Sequence, residues 1–399
     1  MRPVERDLAE RRRRQRQRVR RQRRAVVVLL AAMLVAVGVA AVLRGGGSSS
    51  PGGAAQAAAG GDAGAQRAGA TTMPVAQPIA DADPVSVAAT GDIVMGSLPY
   101  GLPADGGASF FSQVDDLLTG DVVIGNLEGT LASGGSSKCG SGSSNCFAFR
   151  TPPSYARWLK QAGFSVMNLA NNHAYDFGRV GQRQTVAALA RVGLRSTGRP
   201  GTVAIQRVDG QRVAVLGFAP YEWADSLLDI PRAKRRVREA ARRAQIVIVT
   251  FHGGAEGSDK THVPRGTETA FGEDRGNLRA FSRAVVNAGA DLVIGHGPHV
   301  LRGMEVYKGR LVAYSLGNFG GYEVFSLGGA LSTSMVLQVT LAPDGRLRSG
   351  RIRPTLLVGA GTPAPGGNAI SMVQELSRED FGSRAPRIDR RGVIRPRGR

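Results

Sequence analysis

An α/β domain with a mixed sheet is expected over most of this 399-residue chain, on three observations. Five short apolar runs alternate with stretches of helical periodicity, the pattern of strands joined through helices. Each of those runs ends in polar residues. Other apolar runs come in pairs around a short turn, which calls for antiparallel ribbons beside the parallel strands. A hydrophobic content of 42% supplies enough side chains for a packed core and sets the chain apart from disordered polymers.

The five runs are VSVAAT (85–90), DVVIGN (121–126), FSVMNLA (164–170), QIVIVTF (245–251) and ADLVIG (290–295). Helices are expected between and around them at 109–118, 152–162, 179–193, 231–243 and 275–289. Asp209-Gly210, between two apolar stretches of 203–218, predicts a β-hairpin. Segments 304–319 and 334–352 also read as antiparallel ribbons. No internal repeat is found.

Ahead of the domain the composition changes three times. Residues 1–24 form a basic tail with twelve arginines and nine of the chain's 21 net positive charges, leaving 12 dispersed over the rest. Residues 25–43, AVVVLLAAMLVAVGVAAVL, are uncharged and close to the ~20 residues that cross a hydrocarbon core. This run exceeds the ~7–15 residues of a signal-peptide core, and no A-x-A site follows at once, so an uncleaved transmembrane anchor is expected rather than a removed signal. The arginines then mark its cytoplasmic end and meet anionic lipid rather than nucleic acid. The main domain is expected to be extracellular. Residues 44–83, rich in Gly, Ala and Ser, cannot bury enough surface to order themselves and read as a flexible linker. The folded domain is expected over 84–380, with a basic tail at 381–399. Cys139 and Cys146 lie in a Gly/Ser-rich segment, and outside the cytoplasm they suit a disulfide closing a short surface loop. Two thiolates without further Cys or His nearby would make an incomplete metal shell.

The strand ends carry the chemistry. They present Asp92, Asn126 with Glu128, Asn172 with His173, His252, and His296 with His299. Sheets of this class place their sites at the carboxyl ends of the strands. Four of the five histidines belong to this set, and only His262 lies elsewhere. One such histidine would read as a hydrogen-bonded core imidazole; the set reads as a metal or catalytic site. Imidazole mixed with carboxylate suits Mn, Zn or Fe, whereas an all-oxygen shell suits Ca or Mg. Two ions ~3.5–4 Å apart can activate water and hold a leaving oxygen. His173 and Asp176 read as a general acid and the carboxylate that orients it, although Asp176 also suits a cap before the 179–193 helix.

The segments TGDIVMG, GNLEGT, FRTPP, NLANNHAYDFGRVG and GADLVIGHGPHVLRGMEVYKGRLVAYSLGNF together resemble the CapA family of capsule (poly-γ-glutamate) biosynthesis proteins, over residues 85 to about 380. That family is similar to the calcineurin-like metallophosphoesterases. The resemblance therefore implies a four-layer αββα sandwich of metallophosphoesterase type with mixed sheets, and two divalent metal ions. It implies one metal on Asp92, Glu128 and His299, and the other on Glu128, Asn172, His252 and His296, with His173 catalytic. Val94 stands where the phosphoesterases have a histidine, which weakens the first position. Gly297 stands where a second histidine is common, and Gly253-Gly254-Ala255-Glu256 replaces an aromatic residue. Glu256 reads as a solvated loop residue, a further ligand or an acid facing substrate. Asn126 joins it as a candidate substrate contact, as does Asn318, which also suits a turn cap. Tyr175 and Phe177 suit packing or pocket lining.

The implied function is the synthesis, export or processing of an anionic capsule polymer, poly-γ-glutamate, by a membrane-anchored protein with a metal-dependent hydrolase-like site. Membrane-embedded capsule synthase subunits are the expected partners. Two other readings stay open: a non-catalytic polymer-binding subunit of a membrane synthase, toward which Val94 leans, and a phosphodiesterase acting on envelope phosphodiesters.

Overall fold

The computed structural model describes residues 76–79, 82–98, 101–140 and 146–396. The expected basic segment 1–24, the apolar span 25–43 and most of the linker lie outside the described residues. Among the described residues, no helix is long and apolar enough to cross a membrane.

Two large mixed sheets dominate. The ten-stranded sheet runs Arg387–Ile388, Val393–Arg395, Leu347–Val358, Thr333–Leu341, Val85–Val94, Val122–Leu127, Val166–Asn168, Arg195–Thr197. Asn318–Gly321 pairs beside Val85–Val94, and Thr362–Pro365 beside Leu347–Val358. The seven-stranded sheet runs Met304–Tyr307, Arg310–Ala313, Leu292–His296, Ile246–His252, Gln211–Ala219, Ala204–Val208, with Asp225–Ser226 beside Gln211–Ala219. All five expected strands are present. Val85–Val94, Val122–Leu127 and Val166–Asn168 are mutually parallel, as are Ile246–His252 and Leu292–His296, so within each sheet these ends share one edge.

Alternation along the strands builds the layers. Val85, Val87 and Ala89 pack with Val122 and Ile124 against Val213, Val215, Ile246 and Ile248 of the other sheet. The opposite face of the first sheet, through Ala88, Val123 and Met167, meets Leu159 of helix Ala156–Gln161 and Leu189 of helix Gly178–Arg191. The outer face of the second sheet, through Leu216, Val247 and Val249, meets Val237 of helix Ile230–Ala241 and Phe281 and Val285 of helix Leu278–Asn287. The layers are helix, sheet, sheet, helix. Each fully buried Leu, Val or Phe contributes about 1.5–3 kcal/mol.

Four of the five expected helices form close to their expected bounds, and the hairpin turns at Asp209 and Gly210, both with positive φ. Three local expectations are corrected. Segment 109–118 holds successive turns and one 3-10 turn, Asp115–Leu117, instead of an α-helix. Asp105 accepts from the amides of Gly107 and Ser109, and the backbone bonds close three residues back, Phe110 to Gly107 at 3.2 Å, Ser112 to Ser109 at 3.1 Å and Val114 to Phe111 at 2.9 Å, the spacing of turns rather than of an α-helix. Asn318–Gly321 does not continue the ribbon before it but joins the other sheet, parallel to Val85–Val94. Residues 381–395, read as part of a basic tail, close the first sheet: Val393–Arg395 pairs with Leu347–Val358, and Ile394 is fully buried. Helix Ala369–Phe381, which the pattern did not single out, packs Ala369 and Val373 into the core between the sheets.

Candidate metal centre and catalytic dyad

Strand Val85–Val94 changes partner at Gly91. Up to Thr90 it pairs antiparallel with Thr333–Leu341; from Asp92 it pairs parallel with Asn318–Gly321. The switch requires glycine, because a Cβ at Gly91 would sit 1.9 Å from the Gly317 carbonyl oxygen. The Asp92 amide donates to that same oxygen at 2.9 Å, and Asp92 comes to lie beside Asn318.

On its other flank Asp92 is in register with Asn126, and Asn126 with Asn168. Their side chains form a relay. Asn168 and Asn171 donate to Asn126 Oδ1 at 2.9 and 3.1 Å, and Asn126 Nδ2 donates to Asp92 Oδ1 at 2.8 Å. Asn126 thus spends both ends of its amide on the protein. It positions Asp92, and the expectation of a substrate contact there is corrected. Asn168 and Asn171 carry no chemistry in the sequence reading; the run of amides was their only signal.

The two sheets bring their ends together. Asp92, Glu128, His252 and His299 each offer a ligand atom, and these atoms lie within 4.8 Å of one another. His252 Nε2 is 3.2 Å from Glu128 Oε1, and His299 Nδ1 is 3.3 Å from Asp92 Oδ2. His296 sits beside His252 in register and reaches Asp92 at 3.4 Å. Gly297, where a second histidine was considered, admits no side chain: a Cβ would lie 2.7 Å from the Gly253 oxygen. Val94 is buried and offers the site no ligand atom.

Whether a divalent ion suits this set is answered by the atoms left over. Asp92 Oδ2, Glu128 Oε2, Asn172 Oδ1, His252 Nδ1 and both ring nitrogens of His296 are buried without a hydrogen-bond partner. Buried polar atoms are almost always paired, so this concentration marks a missing partner. A mixed carboxylate, amide and imidazole set fits Mn, Zn or Fe.

The charges point the same way. Burial pushes the Glu128 carboxyl well above its usual range, and Asp92, Glu256 and Asp176 add to this against the pull of His299. Burial acts on Asp92 in the same sense, but His296 and His299 outweigh it and hold that carboxyl well below its usual value. Burial opposes a charge on His299, yet Glu128, Asp92 and Glu256 raise it well above the ordinary imidazole value. Two buried carboxylates therefore compete for one cation. Burial lowers His252 far below the ordinary value.

His173 stands next to the cluster. Its Nδ1 is 2.8 Å from Asp176 Oδ2, and the Phe149 ring lies 4.3 Å from its own. Burial lowers its affinity for a proton although Asp176 works against this, so the ring is neutral near pH 7. Asp176 is wholly buried and also receives the Phe149 amide at 2.6 Å and Lys138 Nζ at 2.6 Å. With Nδ1–H on the carboxylate, Nε2 is the atom free to accept and return a proton. Cys139 and Cys146 are joined, with Cα atoms 5.6 Å apart, between Lys138 and Phe149.

Two neighbouring cavities of about 320 and 450 Å³ share His173, Glu256, Phe147 and Phe271 as walls. The first reaches His299 and Asn318, the second Asn172 and Trp223. Glu256 is therefore part of the site: Oε2 is 3.7 Å from His299 Nε2, and Oε1 is held by Arg275 at 2.8 Å. Its loop is pinned by Arg302, fully buried, which grips Glu268 in two hydrogen bonds of 2.9 and 2.7 Å while Glu268 accepts from the Ala255 amide at 3.0 Å. Asn318, at the wall of the first cavity, spends Oδ1 on His299 Nδ1 at 2.8 Å. Tyr175 stacks on Trp223 at 5.3 Å, and Phe177 is buried.

The family model described as bacterial capsule synthesis protein PGA_cap matches residues 86–322. The PGA biosynthesis protein CapA of Bacillus subtilis (strain 168) is 31% identical over 323 residues, covering 75% of this chain and 78% of its own length. The capsule biosynthesis protein CapA of Bacillus anthracis is 35% identical over 181 residues, 40% of this chain and 41% of its own. Among solved structures, a putative 5'-nucleotidase from Staphylococcus aureus aligns over 74% of this chain and 58% of its own at 16% identity and a TM-score of 0.38, too remote to bear on the fold.

Proposed function

The chain belongs to the bacterial capsule synthesis protein PGA_cap family, and from that premise we propose that it serves the synthesis, export or processing of a poly-γ-glutamate-type polymer through a metal-dependent site that cleaves or transfers an acyl group. A role related to capsule or poly-γ-glutamate biosynthesis follows from the family. The observation that carries the finer reading is the meeting of Asp92, Glu128, His252 and His299, with unpartnered atoms around them, beside the His173–Asp176 pair.

Asp92, Glu128, Asn172, His252, His296 and His299 would hold the metal. When bound, a divalent ion there supplies a Lewis acid and a water of lowered pKa. The chain's own residues supply the rest. Asp176 fixes the His173 ring and stabilises its charged form; His173 Nε2 takes the proton of the attacking group and returns it to the departing nitrogen or oxygen. Arg275 and His299 hold Glu256 at the cavity wall. An amide of the polymer backbone is the bond this arrangement suits.

A second reading, a polymer-binding subunit without turnover, is favoured by Val94, which leaves the Asp92 side of the site one imidazole short. Metal analysis of protein purified without chelator, followed by incubation with oligo-γ-glutamate, separates the two. Metal with chain cleavage or transfer supports the catalytic reading. Metal with retention of the oligomer but no turnover supports the second. Absence of metal after reconstitution with Mn, Zn or Fe sinks both.

The apolar span 25–43 behind twelve arginines supports a single-pass anchor with the domain outside the cell. Protease added to intact cells should digest the domain and spare the tail; a protected domain would overturn this orientation.

A further inference from the structure

We propose that a second site, away from the metal centre, binds a carboxylate-bearing stretch of the polymer: a pocket of about 240 Å³ walled by Arg265, Arg279, Arg283 and Arg384. The inference rests on the polymer reading for the identity of its ligand and on the arginines for its existence.

Three separate segments supply the four guanidiniums. Arg265 lies in the loop that begins at His252 and carries Glu256, Arg279 and Arg283 are on helix Leu278–Asn287, and Arg384 follows helix Ala369–Phe381. The acids around them do not balance the charge. Glu305, fully buried, takes Arg283 through hydrogen bonds of 3.1 and 2.8 Å and Arg384 through one of 3.2 Å. Asp380 spends its carboxylate on His262 Nδ1 at 3.0 Å and the Val263 amide at 2.9 Å. Arg279 is buried, lies 4.5 Å over the Phe381 ring and, among the described residues, donates its hydrogen bonds to the carbonyl oxygens of Val263 and Asp380 rather than to a carboxylate. The Arg265 side chain is exposed and, among the described residues, has no ion-pair or hydrogen-bond partner. The Arg384 side chain is 47% exposed, and only its Nε is committed.

Four guanidiniums around one cavity repel one another, and an anion relieves that repulsion. Guanidinium forks also match carboxylate geometry. Helix Leu278–Asn287 returns antiparallel to the strands it joins, so its N-terminal end points to the edge where His252 and His296 end their strands. The pocket therefore lies toward the same strand-end edge of the seven-stranded sheet as the metal centre. A chain with repeating carboxylates can engage both, one segment in the arginine pocket and another at the bond to be cleaved or transferred.

Calorimetric titration of the full chain with oligo-γ-glutamate tests this, comparing wild type with Arg265→Gln/Arg384→Gln. Both residues are exposed, and Arg283 still neutralises Glu305 in the variant; the arginine-rich segment 1–24 is common to both proteins and cancels. Affinity is expected to fall about tenfold, with a shallower salt dependence and unchanged metal content. Equal affinity and salt dependence would reduce the pocket to an internal ion-pair network and overturn the proposal. The single variant Arg265→Gln, in an exposed loop, gives the same reading if the double variant unfolds. Should wild type bind no oligo-γ-glutamate, the polymer reading fails, and short polyphosphate decides the pocket. Binding that the variant loses keeps it as an anion site; binding equal in both, or absent, removes it.

Discussion

Asn318 Oδ1 lies 2.8 Å from His299 Nδ1, and this contact fixes the orientation of an imidazole whose Nδ1 also lies 3.3 Å from Asp92 Oδ2. The Asn318 amide cannot turn over, because its Nδ2 donates to the Leu331 carbonyl at 3.0 Å. His299 Nδ1 must then carry a proton, and Nε2 points toward Glu128 at 3.6 Å and Glu256 at 3.7 Å. His299 also adopts a left-handed backbone, φ +62°, which only the surrounding structure can hold. Asn318→Ala is expected to weaken metal binding about 10- to 100-fold. Competition against a chelator measures it; wild-type affinity would return Asn318 to a turn cap.

The ligand set and the dyad separate by metal content. His252→Ala and His296→Ala should each lower metal bound per chain, since each removes an imidazole from the cluster edge. His173→Ala should leave metal nearly intact while abolishing any turnover, because its ring is bonded to Asp176 and its proposed role is proton transfer. Equal metal in wild type, His252→Ala and His173→Ala would make the cluster a hydrogen-bond network.

Acid should destabilise the metal-free protein through His173. Burial holds its folded value below the ordinary 6.5. Above 6.5 both states are neutral and the ring has no effect on stability. Below it the unfolded chain takes the proton first, so stability falls as pH falls. His252, lowered further by burial, acts in the same sense. His299 runs the other way: although burial opposes its charge, the neighbouring carboxylates raise it, and its contribution is lost as pH rises through the folded value. His173→Gln should therefore lose less stability than wild type between about pH 7.5 and about pH 5, as read from urea midpoints. An unchanged difference would show that His173 titrates as in the unfolded chain.

Much of the cluster was legible because parallel strands deliver their ends to one edge, and the ends themselves carry the acids and imidazoles that meet there. Asp92, Glu128, His252 and His299 needed no long-range knowledge beyond that rule. What a strand end does not reveal is which atoms are already spent. Asn126 and Asn318 stood at the correct edge, yet their amides serve Asp92 and His299. Arg302 and Glu268, 34 residues apart, fix the Glu256 loop through a buried pair that no local pattern announces. The same limit explains residues 381–395. A three-residue strand such as Val393–Arg395 has no periodicity to detect, and the arginines around it, Arg390, Arg391 and Arg395, disguised the buried Ile394.

The dyad is clamped by the segment that the disulfide closes. Lys138, just before Cys139, sets Nζ 2.6 Å from Asp176 Oδ1 and donates to the Asn172 carbonyl at 3.2 Å; its amide donates to the Asp176 carbonyl at 2.8 Å. Phe149, just beyond Cys146, gives its amide to Asp176 Oδ2 at 2.6 Å and its ring to His173. A wholly buried carboxylate needs such partners, since an unpaired one costs several kcal/mol. Lys138 is about one-third exposed, so solvent screens the pair and its worth is modest. A double-mutant cycle of Lys138→Met with Asp176→Asn should therefore show a coupling of about 1 kcal/mol in unfolding free energy. Lys138→Met alone should keep the metal, because no ligand side chain is touched, but shift the His173 Nδ1–H proton signal, because one of the two partners that share the carboxylate with the ring is gone. Additive effects in the cycle together with an unmoved proton signal would mean that Phe149 alone holds Asp176, and that Lys138 merely covers the loop.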